Sequence, residues 1–224
     1  MRLPLAALLA LAPLVATAAD ETVRLQITPD NYRTVEITIG GEPFATYRFE
    51  GFEKPFLADL RAPGGTVVTR PLDKEAVTDH PHHKGLWASV DEVNGHKHWM
   101  GREPIRTEGV EILEAEANPA AFRVRNVWLD GDGQPLLKET TTVRVSADRV
   151  VAYDIALSPA SEAVTFGDTK EGFFAIRLRD ELREKGGTGT ITNAHGAKGE
   201  KEAWGKTAPW VDYSGTVNGE PVGV

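Results

Sequence analysis

The sequence predicts an all-β protein built as an antiparallel β-sandwich. The first observation is the alternation of apolar and polar residues in segments such as Thr22–Thr28 and Thr34–Ile39, which is the period of a half-buried strand. The second is the recurrence of such segments roughly every 8–12 residues, with turn sequences such as Asp130–Gly133 between them, as in a sandwich. The third is that no long amphipathic helix pattern occurs, since the charged run Glu181–Lys185 is too short.

The first three strands are predicted to form a meander with one solvent-exposed face. Gly40-Gly41 is a hairpin-like turn that joins Thr34–Ile39 to a third strand at Phe44–Phe49. The further predicted strands, in chain order, are Gly65–Thr69, Leu86–Asp91, Val110–Ala117, Ala121–Leu129, Leu136–Ser146, Arg149–Leu157 and Phe173–Leu178.

The amino terminus has the pattern of a secretory signal peptide. Arg2 precedes an apolar run from Leu3 to Val15, which is too short to span a bilayer, and a small-residue cleavage site follows. We therefore expect residues 1–19 to be removed and residues 20–224 to form a single sandwich domain that is secreted or periplasmic. No later run is apolar for long enough to span a membrane, so no span is expected after signal removal.

The composition argues against several classes of function. The chain has a formal net charge of -8 and no basic stripe, so nucleic acid is not an expected partner. The absence of cysteine excludes disulfides, thiolate metal sites and a cysteine nucleophile. No P-loop, dinucleotide fingerprint, serine nucleophile elbow or HExxH motif occurs in the sequence.

Histidines mark the strongest candidate site, because five of the six lie between positions 80 and 98. Imidazole transfers protons near neutral pH and is the commonest metal ligand. His80, His82 and His83, with the adjacent Lys84, are therefore candidates for general acid and base. In extended geometry His80 and His82 point the same way, so they are equally candidates for a divalent metal site. The metal candidates are His80, His82, His96 and His98.

A hairpin is predicted around Asn94-Gly95, the strongest two-residue turn sequence in the chain. This register places Val93 opposite His96, Asp91 opposite His98 and Trp87 opposite Arg102. His96 and His98 would then share a face with Asp91, which would fix a histidine tautomer. The alternative is an exposed Asp-His pair with little effect on stability.

A second cluster of charged residues precedes the predicted strand Phe173–Leu178. Asp168 and Glu171 are candidates for a general base, a ligand or an acceptor for sugar hydroxyls, with Lys170 between them as a substrate-binding candidate. The alternative is a salt-bridged surface turn. Arg177, with Arg179, would bind acidic sugars if the strand lines a concave face, and would be surface charge if it faces water.

Aromatic residues are the other requirement of a sugar site, because the apolar faces of sugar rings stack on them. Trp204 and Trp210 lie in a late polar segment and are the better platform candidates. The predicted substrate-binding set is Trp87, His98, Lys170, Arg177, Trp204 and Trp210.

Three motifs carry a resemblance to a known family: Asp79–Trp87, Gly167–Arg177 and Trp204–Tyr213. They resemble, in the same order, motifs of exported bacterial proteins called PmoA-like or methane oxygenase PmoA. The resemblance implies a sandwich similar to galactose mutarotase and a place among polysaccharide-degrading systems. The family continues beyond Asn218–Val224 with a further histidine-containing segment, so this chain is expected to be a fragment with exposed sheet edges.

Three functions remain open from the sequence. The first, which we favour, is a carbohydrate-active isomerase, lyase or hydrolase in which His80, His82 or His83 faces Asp168 or Glu171 across a sugar or polysaccharide fragment. The second is a metal-dependent oxygenase, as the family label implies, with iron or copper on the histidines. The third is a non-catalytic glycan-binding module.

Overall fold

A computed structural model describes residues 22–28, 33–73 and 79–224. The predicted signal peptide, residues 1–19, lies outside the described residues. The prediction of an all-β antiparallel fold is confirmed, and a single turn of 3-10 helix at Asp180–Leu182 and the short α1 at Glu200–Ala203 interrupt the strands. None of the helices in the described ranges has the length and apolar character needed to cross a membrane.

Sixteen strands occur within the described residues. In chain order they are β1 Val23–Thr28, β2 Thr34–Ile39, β3 Glu42–Arg48, β4 Phe56–Ala58, β5 Leu86–Val90, β6 Glu92–Val93, β7 His96–Lys97, β8 Ile105–Glu114, β9 Glu116–Ala117, β10 Ala120–Leu129, β11 Pro135–Val145, β12 Val151–Pro159, β13 Gly172–Ile176, β14 Thr190–Asn193, β15 Val211–Val217 and β16 Glu220–Gly223.

Two antiparallel sheets face each other across the main core. The first has the order β13-β5-β4-β3-β2-β1-β9 and contains the predicted meander, and the second has the order β12-β11-β10-β8. Val23 and Val35 from the first sheet and Val143 from the second are fully buried in one cluster between them. Tyr47 meets Phe122 edge to face across this core, with ring centroids 5.1 Å apart. The alternating apolar residues recognised in the sequence are therefore what hold the sheets together.

A third sheet, with the order β14-β15-β16, packs beside the sandwich. Its Val217 and Val222 share an apolar cluster with Leu178 and Leu182. The sequence pattern did not predict β14 or β15, because β14 has only four residues and Gly215 interrupts the alternation of β15. This sheet forms one wall of the candidate site.

Two predicted details of the first sheet are wrong. The predicted strand at Gly65–Thr69 is reduced to isolated bridges from Val67 and Thr69, because Gly64 and Gly65 both have φ near +90° and turn the chain. The Asn94-Gly95 hairpin does form, and Val93 pairs with His96 as predicted. It is only two residues long on each side, however, and Trp87 pairs with Ala175 of β13 instead of facing Arg102.

Candidate functional site

The histidine loop, defined as residues 79–85, is held from beneath by one buried arginine. The guanidinium of Arg70 donates to the carbonyl oxygens of Asp79, His80 and His83 at 2.9, 2.7 and 2.8 Å. It also donates to Asp79 Oδ1 at 3.0 Å, and its side chain is only 3% exposed. The guanidinium of Arg70 therefore fixes the loop backbone. His80 is held at a φ of +42°, a left-handed conformation that residues other than glycine seldom adopt.

The loop closes against the first sheet at Gly85. This residue has a φ of +53°, and a Cβ atom placed on it would lie 2.1 Å from the carbonyl oxygen of Leu57. Only glycine allows this approach of the two backbones. The close contact brings the three histidines onto the end of β5.

The imidazoles pack on one another and on two buried indoles. The rings of His80 and His83 are stacked with centroids 4.8 Å apart, and His82 meets His83 edge to face at 4.4 Å. His83 in turn lies 5.2 Å from Trp87 and 5.6 Å from Trp99. Trp87, which is 2% exposed, is therefore the floor of the loop, and its burial leaves no open face for the substrate-binding role that the sequence predicted.

His83 serves the packing of the loop, and its imidazole is held in the neutral form. Trp99 Nε1 donates to His83 Nε2 at 3.2 Å, which requires an unprotonated Nε2. Burial, followed by the neighbouring imidazoles of His82 and His80, lowers the pKa of His83 to about 3. Burial and the nearby charge of Lys54 also lower the pKa of His82. The expected acid-base role of His83 is therefore not supported by its surroundings.

A buried lysine, which the sequence did not single out, lies under this packed group. Lys54 Nζ donates to the carbonyl of Trp99 at 2.9 Å and lies 5.8 Å from the ring centre of Trp87. Burial lowers the pKa of Lys54 to about 8, against the opposing charge of Glu53. The predicted catalytic Lys84 has a structural role, because its Nζ bonds to Glu53 and to the carbonyl of Pro81.

His80 and Asp79 form the part of the loop that is suited to proton transfer. Asp79 Oδ2 lies 3.2 Å from His80 Nδ1, while Arg177 Nη2 donates to Asp79 Oδ1 at 2.7 Å. Burial alone would raise the pKa of Asp79, but the hydrogen bond from His80 and the charge and hydrogen bond of Arg177 lower it. When the carboxylate accepts a hydrogen bond from Nδ1–H of His80, Nε2 is left as the basic atom. The His80 side chain is 57% exposed, so Nε2 can reach a ligand.

A cleft of about 680 Å³ runs from this pair to the third sheet. Asp79 and His80 of the histidine loop line it together with Arg177, and Trp204 and Tyr213 line it from later in the chain. Trp204 is 71% exposed. The volume is within the range of ligand pockets, about 300–1,000 Å³, and an exposed indole beside hydrogen-bonding groups suits a ligand with both apolar faces and hydroxyls. The predictions for His80, Arg177 and Trp204 thus come together in one place.

The predicted acidic partners of the histidines lie elsewhere. β13 pairs antiparallel with β5, so Gly172 is opposite Val90 and Ile176 is opposite Leu86. This register separates the Asp168–Glu171 segment from the histidine loop by about 13 Å of strand. Lys170 is 76% exposed, and its one ion pair within the part of the chain that the structure describes is with Glu171, at 3.7 Å. The structure therefore places neither Asp168 nor Glu171 beside the histidine loop, and the carboxylate that contacts His80 is that of Asp79.

The hairpin histidines are also apart from the loop. His98 is fully buried, its Nε2 lies 2.9 Å from the carbonyl oxygen of Leu129, and its ring packs on Trp128. Asp91 binds Lys97 at 3.1 Å instead of His98.

The predicted metal ligands therefore do not assemble. His96 lies 3.8 Å from Glu103 and shares no contact with His80 or His82. Within residues 22–28, 33–73 and 79–224, no three His, Asp or Glu side chains are arranged to hold a metal ion. The predicted set of His80, His82, His96 and His98 is corrected on this geometry, and so is the substrate-binding role of His98. Trp210 is 55% exposed, but it is not among the residues that line the cleft.

A family model described as "Family of unknown function (DUF6807)" matches residues 34–224. The match includes the histidine loop, β13 and the third sheet, and so every residue of the cleft. No curated protein and no solved structure matches the chain.

Proposed function

The chain belongs to this family of unknown function, DUF6807, and from that premise we propose that its cleft binds a sugar or a polysaccharide fragment, on which His80 transfers a proton. One observation carries the proposal. The three motifs at residues 79–87, 167–177 and 204–213, far apart in sequence, each supply side chains to the same cleft. The proposal agrees with the resemblance of those motifs to the PmoA-like family, and with a secreted protein whose residues 1–19 act as signal.

The chemistry of the cleft supports a base held in one tautomer. With Nδ1 of His80 donating to Asp79, Nε2 accepts a proton from a bound hydroxyl or carbon acid. Arg177 keeps Asp79 ionised and lines the same wall, where its guanidinium can also donate to a ligand oxygen. Trp204 offers an exposed apolar surface of the kind that sugar rings stack on. These groups suit isomerisation or elimination on a sugar ring better than transfer of electrons.

Binding and turnover of a panel of oligosaccharides tests the proposal. Calorimetry measures affinity, and chromatography of the products measures turnover. We expect Trp204→Ala to weaken binding about tenfold, because it removes one stacking surface. Trp210→Ala is the matched control, since Trp210 is also exposed but lies outside the cleft lining.

His80→Gln tests whether His80 transfers a proton or only helps to bind the ligand. His195→Gln, at another exposed histidine, is the control. We expect His80→Gln to abolish turnover while affinity changes little. If the native protein binds an oligosaccharide but turns none over, and His80→Gln weakens that binding, the cleft is a glycan-binding module. Failure of every oligosaccharide to bind would refute the proposal.

A further inference from the structure

A small cavity lies inside the sandwich, beside the indole of Trp87. Its volume is about 10 Å³, the size of the space that holds a single water molecule. It is lined from both sheets, with Trp87 from the first sheet and Glu139 and Tyr153 from the second among the lining residues.

Two hydrogen-bonding atoms in this lining have no protein partner. Trp87 Nε1 and Tyr153 Oη are both buried, and neither is hydrogen bonded to any of the described residues. Buried polar groups in proteins are nearly always paired, either with protein atoms or with ordered water. Two such atoms around one cavity therefore indicate a shared partner in it.

A buried carboxylate supplies the third polar group. Glu139, 5% exposed, accepts from Asn126 Nδ2 and Thr141 Oγ1 through Oε1, at 2.9 and 2.6 Å. Among the described residues, its Oε2 accepts from Trp128 Nε1 alone, at 2.7 Å. A carboxylate oxygen has two lone pairs, so Oε2 can accept one more hydrogen bond.

We propose that this cavity is a binding site for one water molecule, which accepts from Trp87 Nε1, donates to Glu139 and exchanges a hydrogen bond with the hydroxyl of Tyr153. Three partners are the usual number for a buried water. The site joins the two sheets, because Trp87 is on β5, Glu139 on β11 and Tyr153 on β12. It also fixes the indole that forms the floor under His83.

Two measurements on the full chain test the site. A high-resolution crystal structure should contain one ordered water within hydrogen-bond distance of Trp87 Nε1 and Glu139 Oε2. In solution, the indole proton of Trp87 should exchange magnetisation with a long-lived water by nuclear Overhauser spectroscopy. The resonance is assigned by its loss in Trp87→Phe.

Matched variants locate the water. We expect Tyr153→Phe, which removes one hydroxyl, to reduce the cross-peak between the Trp87 indole and water several-fold. Tyr213→Phe removes a hydroxyl in the cleft and should leave the cross-peak unchanged. If Tyr153→Phe does not fold, the wild-type crystal structure and spectrum decide. Absence of a water cross-peak, or a crystal structure in which Trp87 Nε1 bonds directly to Glu139, would overturn the proposal.

Discussion

The two ends of strand β13 carry similar charged residues in opposite surroundings. At its carboxyl end, Arg177 donates to Asp79 at 2.7 Å, and the buried Arg70 holds the same carboxylate. At its amino end, Asp168 and Lys170 are exposed, and Lys170 forms an ion pair with its neighbour Glu171. Both ends are rich in charge in the sequence, but only one is a candidate site.

The difference shows that the type of a residue predicts a functional site less well than the buried partners that hold its side chain. A charge fixed by buried partners from distant segments keeps one geometry, which acid-base chemistry requires. Exposed charges without such partners are mobile, and their ion pairs add little to stability.

The largest expected loss of stability comes from placing a side chain where the histidine loop and β4 approach each other most closely. Gly85→Ala places a Cβ atom against the Leu57 carbonyl at a positive φ. We expect a loss of about 4 kcal/mol in the free energy of unfolding, from strain and overpacking together. Denaturant unfolding measures it.

Gly95→Ala is the control for this substitution. Gly95 also has a positive φ, of +86°, but nothing lies within 4 Å of its Cβ position. We expect a loss of only about 1 kcal/mol there. Equal losses at the two glycines would contradict the close contact at Gly85.

Replacement of the buried Arg70 should cause the next largest loss of stability. Arg70→Met leaves Asp79 without one of its two arginines and three loop carbonyls without their donor. We expect a loss of about 3 kcal/mol, because three carbonyl oxygens under the loop lose their hydrogen-bond donor together. Lys170→Met at the other end should change stability by less than about 0.5 kcal/mol. Urea unfolding measures both variants. Similar losses of stability in the two would contradict the claim that only the charges at the carboxyl end of β13 are held by buried partners.

A third test uses pH, because the partly buried imidazole of His83 lies at the carboxyl end. The pKa of His83 is about 3 in the folded chain against 6.5 for an ordinary histidine. Between these values the unfolded chain binds a proton that the folded chain does not, so this stabilising term is complete above pH 6.5 and declines as the pH falls towards 3.

His83→Gln isolates this term. We expect the difference in unfolding free energy between wild type and His83→Gln to shrink steadily as the pH is lowered from 7 to 4. His195→Gln, at an exposed histidine, should give a difference that is nearly independent of pH. A constant difference for His83→Gln would show that His83 titrates normally.

The smallest effect is expected at the amino end of β13. Asp168→Asn removes an exposed carboxylate that makes no hydrogen bond or ion pair within the described residues. We expect a change in stability below about 0.3 kcal/mol, and unchanged affinity for any oligosaccharide that the cleft binds. A large loss of affinity would restore Asp168 as a site residue.

The fold was largely predictable because strand alternation is local. Val23 and Val35 are buried where the period of two placed them, and the Asn94-Gly95 hairpin forms with the expected pairing of Val93 and His96. The strand at Gly65–Thr69 failed because the paired glycines favour a turn over a ladder.

The site was only partly predictable, because its geometry depends on contacts between distant segments. The crowding of histidines in the sequence pointed to the right loop, and His80, Arg177 and Trp204 do line one cleft. Nothing in the local sequence marks Arg70 or Lys54 as buried, since charged residues are usually exposed. The antiparallel register that separates Glu171 from the loop is likewise a property of the sheet and not of the motif.

The seam between the histidine loop and β13 also sets an order of events during folding. Arg70 N donates to the carbonyl of Arg177, Arg177 N donates to that of Gly85, and the ion pair of Arg177 with Asp79 closes a loop of 98 residues. Contacts so distant in sequence form slowly, because the entropy of closing the loop is lost before they contribute. The nearby hairpins can form first, and the cleft takes shape only when β13 docks on β5. A nascent chain that ends before residue 172 would therefore hold its histidines without the arginine that organises them.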